Sequence, residues 1–173
     1  LRGGQTFLHD RIGVIGGFDG IGGARAAFER LRIDVAMYMS IESDPRARAV
    51  VRSAWPEVLE KEDIRKLKQE DFTDAALTAP HLKQIFCLHG SPGQGFTGLN
   101  HGARLMDDPR SRLVMEVPRV TALAKEAWAE LNVDDGLENV FSMDRHGTET
   151  RVNLSAMMGF GAPAGLPVLR QHR

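Results

Sequence analysis

Apolar residues fall along this chain in short runs closed by glycine or a charge, and these alternate with stretches of three-to-four spacing. Short runs predict buried strands, and three-to-four spacing predicts helices with one apolar face. Residues 11–18 predict a first strand running into a glycine turn. A helix is expected from about Gly22 to Arg32, with Ala24, Ala27, Phe28 and Leu31 on its apolar face. Residues 35–41 predict a second strand ending in Glu42. Asp44-Pro45 has the form of a helix start, with Asp at the N-cap and Pro in the first turn; that helix should stop near Trp55, before Pro56. A short segment at Val58-Leu59 leads to Glu62-Asp63-Ile64, and residues 84–88 predict a further strand.

Asp108-Pro109 opens another predicted helix, reaching about Leu131 and kinked or broken at Pro118. Its stripe is Leu113, Val117, Val120, Ala124, Ala127, Trp128 and Leu131. Residues 136–141 read as a strand end, preceded by an unusually polar stretch from Asn132 to Gly136. A last helix is expected over residues 149–158, and the Gly/Pro-rich residues 159–167 read as irregular. Strand, helix, strand, helix in succession predicts α/β architecture with a parallel sheet and right-handed crossovers.

At 173 residues, with 42% hydrophobic and 26% charged, the chain suits one globular domain, taken as residues 1–173. No apolar run approaches the roughly 18 residues of a membrane span, and no signal peptide is read at the start. The single cysteine, Cys87, excludes an internal disulfide framework and a Cys-cluster zinc site, and it fits an intracellular location. A formal net charge of −1 means that any DNA-binding surface must be local. His81, His89, His101 and His146 show no metal-ligand spacing and read as surface or loop residues; His89 lies beside the loop described next.

Two glycine-rich segments carry the candidate chemistry. Phe18-Asp19-Gly20-Ile21-Gly22-Gly23 follows the first strand, where glycines permit a sharp turn and a close approach to a ligand at a helix N-terminus. By itself this turn fits a dinucleotide site equally, because Glu42 stands twenty residues after Gly22. It also fits a tight turn with no ligand. The second segment runs from Leu88 to Asn100, at the carboxyl end of a strand, where open α/β sheets place their ligands.

Together these segments resemble the C5-cytosine DNA methyltransferase family. Phe18 to Gly23 is similar to that family's first motif. Ser91-Pro92-x-Gln94 resembles its catalytic loop, and Glu138-Asn139-Val140 its Glu-Asn-Val motif. Glu42-Ser43 and Asp63-Ile64 fall where the ribose and adenine contacts belong. Asn100, Ala103 and Arg104, with Arg112-Leu113 before Glu116, look similar to the eukaryotic de novo subgroup.

The resemblance implies a three-layer, Rossmann-like S-adenosylmethionine-dependent methyltransferase sheet with helices on both faces, incomplete at its C-terminal side. It implies S-adenosylmethionine as methyl donor, without a metal, and a flipped cytosine in DNA as acceptor. Phe18 would lie against the adenine, Glu42 on the ribose and Asp63 on the adenine amino group. Glu138 would hold the cytosine ring nitrogen, beside Asn139, while Pro92 and Gln94 shape the loop. A nucleus or a bacterial or phage cytoplasm would follow from the source.

The match departs from the family at Gly93, where the resemblance implies a nucleophilic cysteine. Attack on cytosine C6 needs a thiolate, and glycine has no side chain. Cys87 is six residues upstream, roughly 20 Å along an extended strand, and reads as a small buried hydrophobe. Gly16-Gly17 stands where the family has a firmer strand end. No target-recognition segment is read, although Gln171-x-Arg173 could begin the family's Arg motif. The expected function is therefore a cytosine-5 methyltransferase domain with impaired chemistry. Three alternatives stay open: a non-catalytic module binding the cofactor, DNA or a partner methyltransferase subunit, a dinucleotide oxidoreductase, and a poorly folded relic.

Overall fold

The computed structural model describes residues 11–90 and 112–138. Five parallel strands form one sheet in the order β3-β2-β1-β4-β5. They are β1 (Ile12–Gly17), β2 (Val35–Ile41), β3 (Leu59–Lys61), β4 (Gln84–Gly90) and β5 (Asn132–Glu138). The described helices are α1 (Gly23–Arg30), α2 (Pro45–Ala54), α3 (Gln69–Thr78) and α4 (Glu116–Ala127).

Alternation along the strands separates two apolar layers. Ile12, Val14 and Tyr38 pack with Val51 of α2 on one face, joined by Ala24 and Phe28 of α1. Ile15, Met37, Met39, Ile41, Ile85 and Cys87 point the other way, onto Phe72 and Ala75 of α3 and Val120 and Ala124 of α4. Side chains of successive strand residues emerge on opposite faces, so a sheet covered on both sides needs apolar residues throughout. All six residues of β1 are buried accordingly. Helices on both faces complete the three-layer arrangement anticipated from the sequence.

Asp44 caps α2 as expected, accepting the Arg46 main-chain N–H at 2.9 Å with Pro45 in the first turn. Other expectations need correction. The apolar face of α1 is narrower than its spacing suggested: Ala27 is exposed and Leu31, 66% exposed, lies beyond the helix end. Pro118 follows an interruption of the helical run, the 3-10 turn at Leu113–Met115, close to the break that the sequence predicted. It is the third residue of α4, where the main-chain N–H has no intrahelical partner to lose.

Helix α3 had no counterpart in the sequence reading, since only Phe72 and Ala75 of its ten residues are buried. Strand β5 begins at Asn132, inside the polar stretch, because the main-chain ladder to β4 does not depend on side-chain polarity. Only Val133 of its residues is fully buried. The doubt over Gly16-Gly17 is also resolved. Both glycines belong to β1, in register with Ser40 and Ile41 of β2 and with Leu88 and His89 of β4. The expected helix over residues 149–158 and the tail at 159–167 lie outside the described residues.

Candidate functional site

The strand order reverses between β1 and β4, and a cleft opens outside their carboxyl ends, where α/β sheets bind ligands. The chain enters it from β1 through Phe18 (φ 54°), Gly20 (φ 57°) and Gly22 (φ 82°). Gly22 must be glycine. A Cβ there would lie 2.5 Å from the Trp55 ring and 2.9 Å from the Tyr38 hydroxyl, in a left-handed conformation that disfavours side chains. Gly20 and Gly23 instead face open space.

The acids fix this turn from two sides. The Asp19 carboxylate points back to the sheet and accepts from Ser40 Oγ at 2.6 Å and from the Tyr38 hydroxyl. Burial raises the Asp19 pKa, and the Ser40 and Tyr38 hydrogen bonds oppose that rise. Burial and the Asp19 carboxylate push the Tyr38 hydroxyl upward. Gly16 gives this carboxylate its space, since a Cβ would meet Asp19 Oδ1 at 2.1 Å. Glu42 grips the front of the turn. Its Oε2 accepts the Gly20 N–H at 2.9 Å and its Oε1 the Asp44 N–H at 2.8 Å. Glu42 is therefore a brace between the glycine turn and the start of α2, not a solvated strand-end charge.

Two cavities flank Phe18 and Gly90, which line both. One, of about 410 Å³, brings together Glu42, Ser43, Asp63, Ile64 and Leu113. Asp63 Oδ1 accepts the Arg65 main-chain N–H at 3.0 Å and Arg65 Nε at 2.9 Å, while Oδ2 accepts the guanidinium at 2.8 Å. The Arg65 hydrogen bond holds the Asp63 carboxyl below its ordinary range. Ile64 is 5% exposed and joins the core beneath.

The other cavity, of about 540 Å³, is lined by Gly17, Asp19, Gly23, His89 and Glu138. Glu138 is opposite Gly90 in the β4–β5 register. The sequence reading placed Gly20, Ile21 and Gly22 at a ligand, but these line neither cavity, and Ile21 is 65% exposed. Pro92, Gly93, Gln94 and Asn139 lie outside the described residues.

His89 was read as a surface or loop residue and is neither. It belongs to β4 and is 2% exposed. Burial pushes its pKa down to about 4, and neither ring nitrogen has a hydrogen-bond partner. The sequence hid this because His89 sits in an alternating position, with Ile85 and Cys87, whose burial depends on β4 being an inner strand. Cys87 does behave as the small buried hydrophobe expected. It is fully enclosed, and burial, then the Asp135 carboxylate, pushes its thiol up to about 12. Among the described residues, no three or more His, Cys, Asp or Glu side chains are grouped to hold a metal. No described helix is long and apolar enough to cross a membrane.

Comparison with known proteins gives the following. The sequence model for the family described as C-5 cytosine-specific DNA methylase matches residues 13–149. No curated protein sequence matches the chain. Solved structures similar to it include the Dnmt2 methyltransferase of S. pombe, 20% identical with a TM-score of 0.54 over 85% of this chain. The Entamoeba histolytica methyltransferase EhMeth is 17% identical, with a TM-score of 0.57 over 86% of this chain. A mutant of Spodoptera frugiperda DNMT2 is 18% identical, with a TM-score of 0.52 over 86%. This chain spans 40%, 43% and 41% of those three chains, respectively, and at such identities the likeness is one of fold.

Proposed function

Because the chain belongs to the C-5 cytosine-specific DNA methylase family, we propose that the switch-point cleft binds S-adenosylmethionine and that the methyl acceptor is cytosine in DNA. One observation carries this reading. Phe18 lines both a cavity holding Glu42 and Asp63-Ile64 and a cavity holding Asp19, Gly23 and Glu138, so residues from separated stretches of the chain meet around one position.

The residues present fit this donor. Glu42 Oε1 accepts from both the Asp44 N–H and Ser43 Oγ, while Oε2 spends one acceptor site on the Gly20 N–H and keeps another for a ribose hydroxyl. Arg65 leaves Asp63 Oδ2 one acceptor site for an adenine amino group. Phe18 and Ile64 supply apolar surface for the adenine. When bound, the donor provides an electrophilic methyl group. Glu138 would hold the cytosine ring nitrogen, with Asn139, Pro92 and Gln94 shaping the base site.

The chemical step itself is expected to be crippled. Position 93 offers no thiol. Cys87 does not replace it, because its thiol faces the α3–α4 core and is held protonated. Gly93 therefore favours a second reading alongside the first, a module that binds cofactor and DNA, or a partner methyltransferase subunit, without turning over.

Calorimetric titration of the chain with S-adenosylmethionine, with NAD as control, tests the site. Micromolar binding of the former alone is the expected result. Binding of neither ligand by a folded chain overturns the proposal, and binding of NAD alone would replace it with a dinucleotide site.

A further inference from the structure

Helix α2 meets the glycine turn at both of its ends. At its start, Glu42 joins the Asp44 N–H to the Gly20 N–H. At its end, the C-cap residue Trp55 sets its ring against Gly22, which is buried. A Cβ at Gly22 would lie 2.5 Å from Trp55 Cζ3 and 3.2 Å from Cη2, the far edge of the six-membered ring. The indole therefore packs directly on the Gly22 main chain, at the point where the turn becomes α1.

The ring is itself held from three sides. Its N–H donates to Glu29 Oε2 at 3.2 Å. The Arg25 guanidinium lies over the ring, 5.5 Å from its centroid, and 3.8 Å from the same Glu29 oxygen. Tyr38 meets it edge-on, with centroids 5.7 Å apart and planes at 88°. Edge-to-face ring pairs and a guanidinium over an indole are both attractive arrangements. Tyr38 in turn donates its hydroxyl to Asp19, inside the turn. Trp55 is thus tied to the turn twice, at Gly22 directly and at Asp19 through Tyr38. It lines neither cavity, so a ligand in the cleft would feel it only through the turn.

A glycine has many backbone conformations open to it, and Gly22 must keep one of them for α1 to start where it does. Gly20 and Gly23 face open space, so the side-chain packing on this stretch falls at Gly22. A site that holds its binding conformation for only a fraction of the time binds more weakly by that fraction.

We propose that Trp55 is a positioning residue for the donor site, holding Gly22, and with it the turn from Phe18 to Gly23, in the conformation that receives the methyl donor. The proposal rests on the cleft being the donor site. It adds to that reading a residue outside both cavities that sets the affinity.

Trp55→Phe tests this, because phenylalanine keeps an aromatic ring between α1 and α2 but does not reach as far as Cζ3 and Cη2. In calorimetry the variant is expected to bind S-adenosylhomocysteine, the donor without its methyl group, about tenfold more weakly, as for a turn that is competent about a tenth of the time. Leu82→Val trims a buried side chain just before β4, at the end of the sheet away from the cleft. It should lower stability and leave this affinity unchanged, which separates positioning from stability.

The chain has two tryptophans, so the indole N–H NMR signal that vanishes in Trp55→Phe belongs to Trp55. In the wild-type chain that signal should shift with S-adenosylhomocysteine, while the signal of Trp128, buried in the α3–α4 layer, stays in place. Unchanged affinity in Trp55→Phe, or a Trp55 signal that does not move at saturation, overturns the proposal and leaves the donor site standing. Equal weakening in Leu82→Val overturns it too, since Trp55 would then act through stability alone. Should the wild-type chain not bind S-adenosylhomocysteine, the donor reading itself falls, and the role of Trp55 with it.

Discussion

The guanidinium of Arg119, on α4, donates to the main-chain carbonyl of Ile64 at 2.6 Å and to that of Leu67 at 2.8 Å. Its Nε donates to Glu116 at 2.7 Å. The Ile64 carbonyl belongs to the 3-10 turn that carries the Asp63-Ile64 wall of the smaller cavity. One side chain thus fastens this wall to a helix 55 residues away in sequence.

Arg119→Ala should therefore loosen the wall as well as destabilise the fold. Removing the donors leaves two carbonyls to find new partners, a loss of roughly 1–3 kcal/mol. Denaturant unfolding would show the stability loss, and calorimetry should show weaker binding of adenosine-containing ligands. Arg119→Lys cannot span both carbonyls with one ammonium and should fall between the two. Unchanged unfolding and binding in Arg119→Ala would remove this fastening role.

The two left-handed glycines of the turn should respond differently to alanine. At Gly20 the added methyl group meets open space, so only the backbone penalty applies, about 1–2 kcal/mol. At Gly22 the same penalty is joined by a collision with Trp55 and Tyr38. Gly22→Ala should be clearly the more destabilising of the pair when urea midpoints are compared. Equal midpoints would mean that Trp55 yields without resistance.

His89 makes the fold acid-sensitive in a defined window. Its imidazole titrates near 6.5 when unfolded and is pushed to about 4 when folded. Between those values the unfolded chain binds more protons, so stability rises with pH. The contribution is complete above pH 6.5 and is lost as pH falls through 4, with a total of roughly 3 kcal/mol. In His89→Gln the slope of unfolding free energy against pH should be shallower over this range. An identical slope would mean that His89 titrates alike in both states.

Gly93→Cys addresses the missing nucleophile. Loss of a nucleophile commonly lowers rates on the order of 10⁴–10⁶-fold. Methyl incorporation into cytosine-containing DNA, assayed with a target-recognition segment supplied, should therefore be near background for the chain as it stands and should rise by orders of magnitude in Gly93→Cys. No gain would argue that more than the thiol is missing and would favour the non-catalytic reading.

Much of the architecture was present in local patterns. The apolar runs of β1, β2 and β4, the Asp44-Pro45 start of α2 and the glycine turn after β1 are all short-range features. Each follows from propensity or backbone sterics over a few residues. The order of motifs from Phe18 to Glu138 was likewise sufficient to indicate the family. Helix α3 escaped because two buried residues in ten make a weak periodicity. Strand β5 looked too polar because its pairing runs through the main chain.

What the sequence determined by itself was which residues could turn, cap, or carry charge. What only the tertiary structure decided was which of them meet. Gly17 and His89 are 72 positions apart, and nothing local in either predicts that one makes room for the other. The parallel register of β1 on β4 sets them side by side, and burial between two helical layers then strips the imidazole of water and partners. In the same way, Arg119 reaches Ile64 only because α4 packs beside α3 on one face of the sheet. Such encounters arise from long-range strand order and layer packing, which a linear pattern of apolar and polar residues constrains but does not specify.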